Sequence, residues 1–113
     1  MTPPGRGRVH YGGRMSGLRH VALFRWAEGT TTRQQEEVAA RLSELPAKIP
    51  QIRSYSLGRN AGINPGGYDF AVVADFDDRE GYLAYRDHPE HRAVVEEVIA
   101  PLVADRAAIQ YEL

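Results

Sequence analysis

Two segments, Leu18 to Trp26 and Tyr68 to Phe76, carry apolar residues at both odd and even positions. In the first, Leu18, His20, Ala22, Phe24 and Trp26 alternate with Arg19, Val21, Leu23 and Arg25; the second contains Phe70-Ala71-Val72-Val73-Ala74. Successive side chains of a strand point to opposite faces of its sheet, so strands of this composition need cover on both sides. A chain of 113 residues has room for one domain with an economical core and no second domain.

The other elements follow from their periodicity and their punctuation. Thr31 followed three residues later by Gln34 makes a capping-box start, with Val38, Leu42 and Leu45 on one helical stripe that should end before Pro46. Ile52 to Arg59 alternates like a strand with a less buried face, and Asn60 to Gly67 is turn chemistry. Asp77 or Asp78 is the expected cap of a helix carrying Tyr82 and Tyr85. Val94, Val95, Val98 and Ile99 predict a further amphipathic turn or two before Pro101, and Arg106 to Leu113 a last strand. The order is β-α-β-β-α-β with a kinked or doubled second helix, an α+β, ferredoxin-like subunit. Its helices cover one face of the sheet only. Val21, Leu23, Ala71 and Val73 would be left in water, each larger side chain forgoing roughly 1.5–3 kcal/mol of burial, which predicts a homodimer with two sheets packed face to face.

Chemistry is concentrated in Tyr82-Leu83-Ala84-Tyr85-Arg86-Asp87-His88-Pro89-Glu90-His91. Proline lacks an N–H and disfavours the α region for the residue before it, so a helix through Tyr85 ends near His88 and a new one starts at Pro89. On an unbroken helix Tyr85 and His91 would point about 240° apart; the break allows a phenol and an imidazole to converge.

Several function classes lose support. A formal charge of −1 gives no electrostatic footprint for nucleic acid, and no run approaches the roughly 18 apolar residues of a membrane span. There is no cysteine for disulfides, thiolate chemistry or Cys-based metal sites. Met1 to Gly17, with its glycines, two prolines and Arg6, Arg8 and Arg14, is expected to be a disordered basic tail, or in part the product of a start placed ahead of Met15. It has no signal-peptide core, so a cytoplasmic location is expected, with residues 18–113 forming the domain. The glycines at 58, 62, 66 and 67 read as turns and not as a nucleotide-binding loop. Asp87, His88, Glu90 and His91 are potential metal ligands, but His-x-x-His across a helix break is not the His-Glu-x-x-His zinc pattern, and no metal or other cofactor is expected.

Three stretches, His20-Val21-Ala22-Leu23-Phe24, Leu45-Pro46-Ala47-Lys48-Ile49-Pro50 and Tyr85-Arg86-Asp87-His88-Pro89-Glu90-His91, make the chain from about His20 onward resemble the stress-responsive α+β barrel (Dabb) domain family. The resemblance implies a dimeric α+β barrel of ferredoxin-like subunits. One plant member is a polyketide cyclase that closes a linear tetraketide by aldol condensation without metal or organic cofactor. Its catalytic tyrosine and histidine match Tyr85 and His91, and its first-strand pocket histidine matches His20. A further pocket histidine falls on Phe70, which reduces the polar equipment of the site.

The expected function is enclosure of a small apolar or polyketide-like molecule, with His91 as general base and Tyr85 holding the substrate and polarising its carbonyl. His20, Ala22, Phe24, Leu42, Phe70 and Val72 would form the binding wall. The alternative is a non-catalytic, stress-responsive binding dimer. There His88 and Asp87 cap the helix at Pro89, Glu90 complements its dipole and His91 bonds a backbone carbonyl. Tyr55, Tyr82, Tyr111 and Trp26 read as packing residues with a polar edge. A cavity reaching both Tyr85 and His91 separates the two readings.

Overall fold

The computed structural model describes residues 17–113, so the expected tail lies outside the described residues except for Gly17, whose carbonyl accepts from the Leu113 N–H at 3.0 Å. The elements are β1 (Leu18–Trp26), α1 (Thr32–Ser43), the single turn α2 (Leu45–Lys48), β2 (Ser54–Arg59), β3 (Phe70–Phe76), α3 (Arg79–Asp87), α4 (Pro89–Val94), a π-helical turn (Val95–Ile99) and β4 (Val103–Glu112). The four strands form one antiparallel sheet in the order β2-β3-β1-β4, the ferredoxin-like arrangement. Among the described residues no helix is long and apolar enough to cross a membrane.

β1 lies inside the sheet, pairing with β3 and β4, with His20 opposite Ala74 on one side and Gln110 on the other. Its alternation sends Leu18, His20, Ala22 and Phe24 under the helices, where they meet Phe70, Val72, Ala74 and Phe76 of β3. Val38, Leu42, Leu45, Ile49 and Tyr85 close this core from the helical side. On the opposite face Val21, Leu23, Ala71 and Val73 are half-buried, while Ile109 and Tyr111 stand 61% and 44% exposed. Arg19 and Asp75, opposite one another on that face, pair through both guanidinium prongs at 2.7 and 2.8 Å, with Ser54 donating to the same carboxylate.

The ends of the elements have local causes. Thr31 caps α1 with both arms of the capping box: its Oγ1 accepts from the Gln34 N–H at 3.1 Å, and Gln34 Oε1 accepts from the Thr31 N–H at 2.8 Å. Of the two aspartates before α3, Asp78 is the cap, accepting from the Gly81 N–H, and Asp77 instead pairs with Arg53. β2 starts at Ser54 because the Ile52 N–H is spent on a turn back to Ile49. β3 starts at Phe70, two residues after the expected Tyr68, although the Asp69 backbone still bonds Phe24 and Asn60 and its carboxylate accepts from the Trp26 N–H. β4 starts three residues before the expected Arg106, because Val103 pairs with Trp26 across a bulge at Arg25/Trp26. After α4 the helix widens, and the Ala100 N–H reaches the Val95 carbonyl five residues back.

Removing the α1 cap should be felt across the cooperative unit. Thr31→Ala is expected to lower unfolding free energy by about 1 kcal/mol in urea titrations, whereas Ile63→Ala, at a side chain 83% exposed, should change it by less than about 0.5 kcal/mol.

Candidate functional site

A cavity of about 140 Å³ lies between the helices and the sheet, lined by His20, Ala22, Phe24 and Val72 from the strands, Leu42 from α1, and Tyr82, Tyr85, Arg86 and His91 from the α3–α4 joint. Val95, Ile99 and Arg106 complete the wall. Tyr85 and His91, six residues apart, lie in contact with ring centroids 4.2 Å apart and planes tilted by 34°. His20 approaches them from the sheet, its ring 4.9 Å from Tyr82 and 6.1 Å from Tyr85.

The joint that achieves this is built from His88 and Pro89. His88 has extended backbone (φ −62°, ψ 135°), and its Nδ1 accepts from the Glu90 N–H at 3.1 Å, capping α4. In a continuous helix the Glu90 N–H would bond the Arg86 carbonyl. Diverting it to His88 frees that carbonyl, and His91 Nδ1 takes the place at 3.0 Å. A carbonyl has no proton to give, so Nδ1 must be the donor and Nε2 of neutral His91 is left as the acceptor. Asp87 does not share the capping; it pairs with Arg86.

Burial decides the protonation states. Desolvation, with the nearby charges of His91 and Arg106 adding to it, lowers His20 to about 4. The His91 pKa is also lowered, chiefly by desolvation, against the opposing pull of the Arg86 carbonyl. Both imidazoles are therefore neutral at pH 7. Gln110 Nε2 donates to His20 Nδ1 at 2.9 Å, which leaves His20 Nε2 as the protonated nitrogen. Tyr85 is 2% exposed, its hydroxyl shares a 2.9 Å hydrogen bond with Tyr55, and burial raises its pKa far above the ordinary phenol value. Tyr55 is pushed up to about 12 by the same desolvation.

Of the residues singled out from the sequence, His20, Ala22, Phe24, Leu42, Val72, Tyr85 and His91 meet at one cavity. Phe70 does not line it; its ring stacks behind Phe24 with centroids 6.2 Å apart. Tyr82, read as a packing residue, is part of the wall, and its spacing of three from Tyr85 on α3 was the available signal. Arg86, Arg106, Val95 and Ile99 were not singled out for the site. Arg106 reaches it by pairing opposite Phe24. Val95 and Ile99 reach it from the π-helical turn. Among the described residues no three His, Asp or Glu side chains gather in a way that could hold a metal ion.

The neutral state of His20 has a consequence for stability. Its pKa is lower in the folded protein than in the unfolded chain, so the unfolded chain binds the extra proton between pH 6.5 and about 4, and stability is lost as pH falls through that window. Thermal melts should show Tm dropping from pH 6.5 to 4, and His20→Gln should flatten the drop; an unchanged slope would contradict this assignment.

The chain matches the family model of the stress responsive A/B barrel domain over residues 18–113. It is 31% identical to an uncharacterized protein of Streptomyces coelicolor over 69% of this chain and 82% of that one. Among solved structures it is similar to a dimeric ferredoxin-like protein of unknown function from Thermobifida fusca, with 48% identity, a TM-score of 0.81, and coverage of 94% of this chain and 97% of that one. A hydroxynitrile lyase from Passiflora edulis shares the fold at 17% identity and a TM-score of 0.77, over 87% of this chain and 94% of that one. The chain belongs to the stress-responsive A/B barrel domain family.

Proposed function

Taking that membership as premise, we propose that this protein is a homodimeric α+β barrel whose subunits each enclose a small carbonyl compound and act on it without a cofactor through His91 and Tyr85. The observation that carries the reading is the single cavity joining Tyr85, His91 and His20, with His91 Nε2 unprotonated. An apolar engineered cavity of about 150 Å³ holds benzene, so the enclosed part of the ligand is about the size of one six-membered ring.

The chemistry that suits these groups is carbon–carbon bond formation or cleavage next to a carbonyl. His91 Nε2 removes a proton from a carbon flanked by two carbonyls, and Tyr85 orients the molecule. His20 Nε2–H is a neutral donor for the developing enolate oxygen. The enolate carbon then attacks an acceptor carbonyl, and the proton held by His91 passes to the new alkoxide. Atoms balance as an isomerisation. The reverse sequence is a lyase reaction, and a hydroxynitrile lyase is among the proteins that share this fold.

Dimerisation is supported by the apolar face of Val21, Leu23, Ala71, Val73 and Ile109 and by the dimeric state of the Thermobifida fusca relative. Sedimentation should return twice the 12.6 kDa chain mass, with Val21→Glu shifting it toward one chain. A second reading, a binding protein without turnover, is favoured by one feature: the Tyr85 hydroxyl is already engaged by Tyr55.

Pentane-2,4-dione distinguishes the two. Deuterium exchange at its central carbon, followed by NMR, is expected to be accelerated by the protein. His91→Ala should reduce the acceleration by about 10²-fold or more, and Tyr85→Phe by less. Because the active form of His91 is unprotonated and its pKa is lowered, the midpoint of the fall in rate on acidification should lie below pH 6.5. Binding without acceleration would support the second reading.

A further inference from the structure

The mouth of the cavity is cationic, and its charges are unequally balanced. Arg86, His91, Val95 and Arg106 line both the cavity and the surface depression outside it, to which Asp87, Arg92 and Glu96 are added. Arg86 is held in a parallel fork by Asp87, at 2.9 and 3.0 Å. Arg92 lies 3.6 Å from Glu96, one helical turn away. Among the described residues Arg106 has no carboxylate within ion-pair distance. It stands opposite Phe24 on the edge strand β4, on the face that looks at the helices. The rest of the lining is two imidazoles, two phenols and apolar side chains, with no acid among them.

We propose that Arg106 is a substrate-anchoring residue, and that the ligand of this cavity is a small molecule with an apolar body of about one ring and a carboxylate directed to the mouth. The inference rests on the reading of the cavity as a ligand site and narrows its substrate class. A planar guanidinium with unused donors at the rim of an apolar chamber matches a carboxylate in shape and charge, and the chamber takes the remainder of the molecule. The same charge bears on both imidazoles, disfavouring their protonation, which places it within electrostatic reach of the reacting end of the site. Arg106 would hold the carboxylate at the rim, beside the His91 that lines the same opening, while Ala22 and Val72 of the inner wall take the apolar body.

The test uses two probes of nearly equal shape, benzoate and benzamide, titrated into the full chain and followed by NMR shifts of the cavity residues. Benzoate should bind at least tenfold more tightly than benzamide. Arg106→Gln should abolish the preference, Arg106→Lys should restore part of it, and Arg92→Gln, an equal charge loss outside the cavity wall, should change it less than twofold. Equal binding of the two probes, or a preference that survives Arg106→Gln, would overturn the anchor while leaving the cavity as a ligand site. Binding of neither probe would overturn both. An equal loss of preference in Arg92→Gln would replace the anchor with a diffuse surface field.

Discussion

A missing hydrogen-bond donor organises this site. Pro89 has no N–H and forces His88 out of helical geometry, so the chain stops one helix and starts another with a change of direction. Two side chains that a continuous helix would turn apart are thereby brought together, with ring centroids 4.2 Å apart. The same interruption redistributes the backbone hydrogen bonds. The His88 ring satisfies the Glu90 amide, the Arg86 carbonyl is released, and His91 is fixed through the nitrogen that bonds it. A helix cap and an oriented imidazole are thus two results of one proline. The two readings of His91, as backbone partner and as chemical group, are compatible because an imidazole has two nitrogens and the carbonyl occupies one.

The sheet supplies the complementary wall. A central strand with small and aromatic residues under the helices leaves a hollow where larger side chains would fill the core: Ala22 and Val72 form its floor, and Phe24 closes one end. The opposite face of the same strands is apolar in the middle and bounded by the Arg19–Asp75 pair, whose charge-assisted bonds hold Asp75 below the usual carboxylate range. Alternation thus gives one strand two different faces, a cavity wall on one side and an apolar, half-buried surface on the other.

The fold was legible because each of its main decisions is local. Alternation in β1 and β3, the Thr31–Gln34 box and the His88–Pro89 break each name an element or an end without knowledge of the rest. Strand starts were less legible: Val103 to Asp105 shows no alternation because a bulge sits opposite it, and Ile52 is drawn into a turn. Arg106 lay inside the expected last strand, but its place at the site depends on cross-strand register, which is a tertiary property. Phe70 illustrates the converse, because sharing a strand face with Val72 does not guarantee reaching the same hollow when an aromatic neighbour stands between. Tyr55 was readable as a half-buried strand residue, but its bond to Tyr85 joins positions 30 residues apart.

The chain contains one tryptophan, and its position has a practical meaning. Trp26 lies against Phe24 and Phe70, with ring centroids 6.0 and 5.7 Å away, and its buried indole nitrogen has no hydrogen-bond partner among the described residues. An indole in such a setting emits at shorter wavelength than one in water. Since Phe24 is shared between this aromatic trio and the hollow, the protein carries its own optical reporter, one ring removed from whatever the chamber admits.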